Sequence, residues 1–143
     1  MAPRPDPLVR EEIGRSLNRV RRLLLKEAGL RLLQRGEPLL TFQVLNHLGR
    51  CGPGTQSELA AGTGQHPTGM SRLLDELENA ELVRRTRDPQ DRRKIRVAVT
   101  AAGRARLRKG GPAVQDAIEA VLAPLGAKDR RLLRDLLRRL LPD

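Results

Sequence analysis

Residues 41–99 read TFQVLNHLGRCGPGTQSELAAGTGQHPTGMSRLLDELENAELVRRTRDPQDRRKIRVAV, and this stretch decides the fold. Thr41 is a candidate N-cap, with Leu40 before it and Leu45 placed to close a hydrophobic staple, and the helix it opens is expected to end at Gly49. Cys51-Gly52-Pro53-Gly54 reads as a turn. Thr55-Gln56-Ser57-Glu58 then fits a capping box, in which the Thr hydroxyl and the Glu carboxylate satisfy backbone donors reciprocally. Leu59, Ala60 and Ala61 start a short helix behind it, stopped by Gly62-Thr63-Gly64. Pro67 suits a first helical turn, where its missing donor costs nothing. Met70, Leu73, Leu74 and Leu77 supply the apolar face of the next helix, which runs to about Asn79. Leu82–Arg87 and Ile95–Val99 alternate apolar or small with polar residues around Asp88–Lys94, which predicts a two-stranded ribbon with a basic, turn-forming tip.

Outward from this segment both flanks are helical. From Leu8 to about Gln34, Ile13, Leu17, Val20, Leu24 and Ala28 recur at the helical period, and Arg35–Pro38 breaks the run. After the ribbon, Thr100 is placed to cap a helix through Ala105 and Leu107. Gly110-Gly111-Pro112 is expected to bend or interrupt that helix, because proline lacks the backbone donor, with resumption from Ala113 to Leu122. Past residues 124–127, Leu132, Leu133, Leu136, Leu137, Leu140 and Leu141 make an apolar stripe that needs a partner surface. The expected fold class is therefore mainly α with a small β-ribbon wing.

The chain has 143 residues with 28 Lys plus Arg against 17 Asp plus Glu, a formal charge of +11. Only 38% of residues are apolar and 1% aromatic, so the core must be built from Leu, Val and Ala, and a core shared with a second copy is expected. No apolar run approaches the roughly 18 residues of a membrane span, and MAPRPDP offers no apolar segment before a cleavage site; a cytoplasmic protein is expected. Cys51 is the single cysteine and reads as a small buried thiol in a turn. With only His47 and His66 beside it, neither a disulfide nor a zinc site is expected. No Ser-His-Asp set, metal cluster or phosphate loop is present, so neither an enzyme nor a cofactor is anticipated.

Such a charge favours polyanions, and of the cations 24 are Arg and four Lys. The densest run, Arg84 to Arg96, lies in strand and turn, unlike a membrane-surface helix. Helix, turn, helix and basic ribbon is the order of a winged helix-turn-helix, whose second helix enters the major groove while the ribbon tip reaches the flanking backbone or minor groove. Thr68, Gly69, Ser71 and Arg72 fall in the first turns of that second helix, off its apolar face. Gly69 lets the backbone come close, Ser71 donates or accepts, and Arg72 forks onto guanine or phosphate. The helix start favours an anion near His66 to Thr68, and His66 reads as a cap or phosphate donor. Arg92 and Arg93 concentrate like charge at the tip, which calls for a phosphate partner. Arg84, Arg85 and Arg87 read either as phosphate contacts or as partners of the protein's own acids. His47 reads as a packed histidine, and Arg130, Arg131, Arg134, Arg138 and Arg139 as a solvated face or as partners of Asp129 and Asp135.

LTFQVLNHL, TQSELA, TGMSRLLDELENAELVRR and DPQDRRKIRVAVTAAGRA together resemble the MarR family of bacterial transcriptional regulators, over essentially the whole chain. The resemblance implies a homodimeric repressor or activator, with residues 1–40 and 100–143 forming a helical dimerisation region around a DNA-binding domain at 41–99. It implies two recognition helices reading a palindromic operator on double-stranded DNA, and commonly a small anionic aromatic effector. It matches Ser71 and Arg72 to base- and phosphate-contacting positions, Thr68 and Gly69 to groove-facing ones, Arg93 to the wing-tip arginine, and Asp91 to an acid that holds the tip by pairing with an arginine. The chain departs from the pattern at Glu81, where the family has glycine, so the helix end is expected to use another geometry involving Asn79. It departs also at Gly110-Gly111-Pro112, and in having Phe42 as its one aromatic. The alternative function, from a different class, is a winged-helix protein-interaction module whose basic face docks an acidic protein.

Overall fold

The computed structural model describes residues 6–142. Its elements run α1 Pro7–Gln34, α2 Leu39–Cys51, β1 Gly54–Thr55, α3 Gln56–Thr63, α4 Pro67–Asn79, β2 Val83–Arg87, β3 Ile95–Val99, α5 Ala101–Leu122 and α6 Ala127–Leu140. The sheet is antiparallel in the order β1-β3-β2, so the ribbon is three-stranded rather than two-stranded. The extra strand pairs Gly54 with Val97 and Thr55 with Arg96, and its two residues are too few to carry an alternation.

The chain forms two compact units, one of residues up to Arg31 and from Val114 on, the other Leu32–Ala113. The second has a continuous core of Val44, Leu45 and Leu48 from α2, Leu59 and Ala60 from α3, Met70, Leu74 and Leu77 from α4, and Leu82, Val83, Val97 and Val99 around the sheet. Burying each large aliphatic side chain contributes about 1.5–3 kcal/mol, which is how a core almost without aromatics holds. The first unit leaves Ile13, Leu17 and Val20 of α1 and Leu132, Leu136 and Leu140 of α6 exposed, and α6 has no buried residue. Within that unit Arg130 meets Glu119 at 2.8 Å, not Asp129, and Arg134 meets Asp135 at 2.8 Å.

Several local expectations change. α1 ends in a Schellman turn, with Glu37 N donating to Leu32 O, Gly36 N to Leu33 O, and Gly36 at φ 71°. That turn delivers the chain to Pro38, which occupies the N-cap of α2 at φ −66°, ψ 135°. Thr41 is therefore a buried residue inside the helix and not its cap. α2 runs past Gly49 to Cys51, which is an exposed helix-terminal thiol instead of a buried one in a turn. α5 continues through Gly110-Gly111-Pro112 without interruption. Gly110 is needed there for packing, since a Cβ would stand 2.7 Å from the Phe42 ring and 3.2 Å from Leu32. Thr100 does cap α5, its Oγ1 accepting from Gly103 N at 3.0 Å and donating to Glu81 O at 2.7 Å. His47 is packed as expected, its ring within 2.4 Å of where a Cβ on Gly62 would lie.

Candidate nucleic-acid interface

α4 presents the first cluster. The exposed His66 is its N-cap, with Nδ1 accepting from Thr68 N at 3.3 Å, so a neutral ring carries its hydrogen on Nε2 as a donor. Met70, Leu74 and Leu77 are buried against the core, which turns Thr68, Gly69 and Arg72 to solvent and leaves Ser71 half-buried. The Arg72 side chain is 87% exposed and its Nε lies 3.4 Å from Glu76 Oε1, a loose pairing worth a few tenths of a kcal/mol. A Cβ on Gly69 would meet nothing within 4 Å, so the fold itself does not require glycine there.

α4 ends with the chain in the left-handed region at Glu81, φ 58°. Leu82 N donates to Leu77 O and Glu81 N to Glu78 O, both at 2.9 Å, which is a Schellman turn. Glu81 thus adopts the glycine conformation itself, and Asn79 is simply the last helical residue. The bond from Thr100 to the Glu81 carbonyl and that from Thr100 N to Leu82 O, 3.1 Å, hold the turn.

The wing presents the second cluster. β2 and β3 pair with Arg87 opposite Ile95 and Arg85 opposite Val97. The tip is organised by Asp88, only 9% exposed, whose Oδ1 accepts from Gln90 N at 2.8 Å and Asp91 N at 3.2 Å. Its Oδ2 takes Arg96 Nη1 at 3.2 Å, and Arg96 Nη2 reaches Pro53 O at 3.0 Å. The Gln90 amide first, then Arg96, hold the Asp88 carboxyl below its ordinary value. This corrects the reading of Asp91. Its carboxylate accepts from the Arg93 backbone at 3.0 Å, and the arginine pairing expected of it is made by Asp88. Arg92, Arg93 and Lys94 are exposed with no carboxylate partner among the described residues, and so are Arg84 and Arg87.

Arg85 goes the other way. Its Nη2 binds Asp75 Oδ1, its Nε binds Glu78 Oε1 at 3.2 Å, and its backbone N donates to Glu78 Oε2 at 2.9 Å. The bond to Asp75 and then that to Glu78 stabilise the guanidinium cation. Arg85 is consequently a clamp between β2 and α4.

The two clusters are joined by the start of α3. Its capping box is complete, with Thr55 Oγ1 accepting from Glu58 N at 3.2 Å and Thr55 N donating to Glu58 Oε2 at 2.8 Å. Gln56 Nε2 donates to Pro67 O in the first turn of α4, at 3.3 Å. The same Gln56, with Thr55, Ser57 and Glu58, lines an open cleft of about 470 Å³ whose other wall is Arg93, Lys94 and Ile95 of the wing. The start of α4, the start of α3 and the wing tip therefore follow one another along one side of this unit. Sequence reasoning passed over Gln56, Ser57 and the Asp88–Arg96 pair, and left Arg85 open between phosphate and the protein's own acids, of which the structure shows the second; the Asp75 and Glu78 spacing along α4 was the available signal for the clamp. Among the described residues no group of His, Cys, Asp and Glu could hold a metal ion, and no helix is long and apolar enough to cross a membrane.

A family model described as MarR family matches residues 36–94. The HTH-type transcriptional repressor NicR of Pseudomonas putida is 30% identical over 136 residues, covering 93% of this chain and 84% of that protein. The MarR family protein Rv2887 of Mycobacterium tuberculosis, solved with salicylic acid, is 30% identical at a TM-score of 0.77, covering 99% of this chain and 100% of that one. A cysteine variant of MarR from E. coli, solved with operator DNA, is 25% identical at a TM-score of 0.72, covering 92% and 94%.

Proposed function

Because this chain belongs to the MarR family of DNA-binding transcriptional regulators, we propose that it is a cytoplasmic repressor that binds a palindromic operator as a homodimer. One observation carries the reading: the unpaired arginines of the wing tip, the α3 start and the exposed face of α4 lie in sequence along one side of a single unit. In this reading α4 enters the major groove. Ser71 and Arg72 meet base edges and phosphate, and Thr68 and Gly69 allow the backbone to approach. His66 Nε2 donates to a phosphate at the helix start, where backbone donors also gather. Arg92, Arg93 and Arg87 contact the flanking backbone or minor groove, and Asp91 keeps the tip folded behind Arg93. Arg85 is assigned to positioning and not to phosphate.

Residues 1–40 and 100–143 supply the dimer contacts in this reading, and the exposed apolar residues of α1 and α6 support that role. A shared interface would bury the stripes that one copy leaves in water. A relative solved with salicylic acid supports modulation by a small organic acid. The decisive experiment is to sequence the DNA fragments retained by the purified protein. An inverted repeat among them establishes both specificity and two-fold symmetry, and Arg72→Ala then lowers the discrimination between operator and random DNA. Equal binding of operator and random duplex by the wild type at several salt concentrations defeats the proposal, as does a nuclease-resistant complex with an acidic protein in the absence of any DNA retardation.

A further inference from the structure

Every acid of α3, α4 and the wing but one has a task in the fold. Glu58 closes the capping box of α3, Asp75 and Glu78 hold Arg85, Asp88 holds the wing tip and Arg96, and Asp91 accepts from the Arg93 backbone. Glu76 does none of this. Its side chain is 62% exposed, and among the described residues its ion pair is with Arg72, one turn earlier on α4, at 3.4 Å. Met70, Leu74 and Leu77 turn the opposite face of the helix inward, so Arg72 and Glu76 share the solvent face. An exposed pair of this kind adds little to stability. The fold therefore gives no reason for a carboxylate at this position. It stands on the helix proposed to enter a polyanion's groove, and an ionised carboxylate accepts hydrogen bonds only, so it has nothing to offer a phosphate.

From this we infer that Glu76 is a specificity-determining residue, which separates operator from random duplex by penalising the random one. Non-specific binding is driven by the neutralisation of phosphates. A phosphate that draws in Arg72 in that mode must take it from Glu76 and tolerate an anion one turn, about 6 Å, further along the helix. Like unit charges about 4 Å apart in water lower an affinity about fivefold, and the penalty fades with distance and with salt. On the operator Arg72 forks onto a guanine edge, whose N7 and O6 are neutral acceptors, while the amino groups of cytosine and adenine in the same groove are donors that a carboxylate can accept from. Glu76 is thus accommodated on cognate bases and repelled elsewhere, a gain in selectivity made by weakening the wrong complexes. The inference deepens the DNA-binding reading and rests on it.

The test follows fluorescence anisotropy of the full chain on an operator taken from the selected fragments and on a random duplex of equal length, at several salt concentrations. Glu76→Gln keeps the shape of the side chain and removes its charge. At low salt it is expected to raise affinity for the random duplex by roughly three- to fivefold without raising operator affinity, so that the ratio of the two falls about threefold or more. The difference from wild type should narrow as salt rises. Glu76→Asp keeps the charge and is expected to hold the wild-type ratio to within about twofold. Both substitutions should leave the thermal unfolding midpoint in place, because the position is exposed and its ion pair loose. An unchanged or higher ratio in Glu76→Gln, equal gains on both duplexes, or a ratio that falls as far in Glu76→Asp overturns the inference. A wild type that discriminates while Glu76→Gln discriminates equally well sinks this inference alone, and a wild type that binds both duplexes alike sinks the functional reading.

Discussion

Gly69→Ala separates what the fold needs from what the partner needs. Gly69 is the third residue of α4, its φ is not positive, and an ideal Cβ there has open space for 4 Å around it. Alanine therefore meets no steric cost in the free protein. It removes the entropy that glycine loses on entering a helix, a gain of about 0.5–1 kcal/mol. Because entropy and enthalpy of unfolding scale with chain length, this corresponds to a rise of roughly 2–4 °C in unfolding midpoint. Duplex binding should move oppositely. The added methyl projects from the solvent face of α4 beside Arg72, where the backbone is proposed to approach base edges, and displacing even one good base contact costs about 1–3 kcal/mol, roughly a five- to 150-fold loss. The assays are thermal unfolding and fluorescence anisotropy on an operator fragment at two salt concentrations. A destabilised Gly69→Ala protein would show that the fold itself requires the glycine. A stabilised one with wild-type operator affinity would show that nothing approaches α4 at that turn.

Four further outcomes follow from the same geometry. Glu81→Gly relieves a left-handed conformation forced on a side chain, so thermal unfolding should show a gain of about 1 kcal/mol with DNA affinity unchanged. Gly103→Ala would set a Cβ 2.2 Å from the Leu82 carbonyl oxygen, and chemical denaturation should report a loss of about 3 kcal/mol or outright failure to fold. Arg93→Ala should reduce the slope of log affinity against log salt by about 1, whereas Arg85→Ala, which breaks a clamp and no phosphate contact, should weaken binding at an unchanged slope. Asp88 has its folded value depressed below the ordinary 3.8, so its contribution is present above that value and lost as pH falls through the lower folded one; the protection of the Gln90 and Asp91 amides against hydrogen exchange, taken relative to the intrinsic rate at each pH, should fall only in that acid range.

Periodicity and capping chemistry made most of the fold legible. The capping box at Thr55, the proline at the first position of α4 and the alternation after Leu82 are local signals, and each sits where the structure has its element. What escaped was set by distant packing. Pro38 displaces Thr41 as the cap of α2 because the Schellman turn at Gly36 brings the chain in one turn early. Gly110 and Pro112 look like a helix break, yet Gly110 is where α5 closes on Phe42 and Leu32, a contact 68 residues away from Phe42 in the chain. β1 was invisible because its pairing partner, not its own composition, makes it a strand.

The interface was legible by residue type and only partly by role. Six arginines and a lysine run from Arg84 to Arg96, and the sequence alone gives them one sign without saying which of Arg84, Arg85 and Arg87 meets phosphate and which the protein's own acids. The fold divides them. Arg85 holds Asp75 and Glu78 and so ties β2 to α4, and Arg96 holds Asp88 and the Pro53 carbonyl just before β1, while Arg84, Arg87, Arg92, Arg93 and Lys94 are left unneutralised in water. Placing five like charges on so small a ribbon raises the free energy of the isolated protein through mutual repulsion, and salt or a polyanion relieves it. The tied pair resists the deformation that this repulsion would otherwise cause. Under the proposed function a wing stripped of its anchoring acids would keep its five unpaired cations and lose its aim, so that Asp75, Glu78 and Asp88 would act on DNA recognition without touching a phosphate.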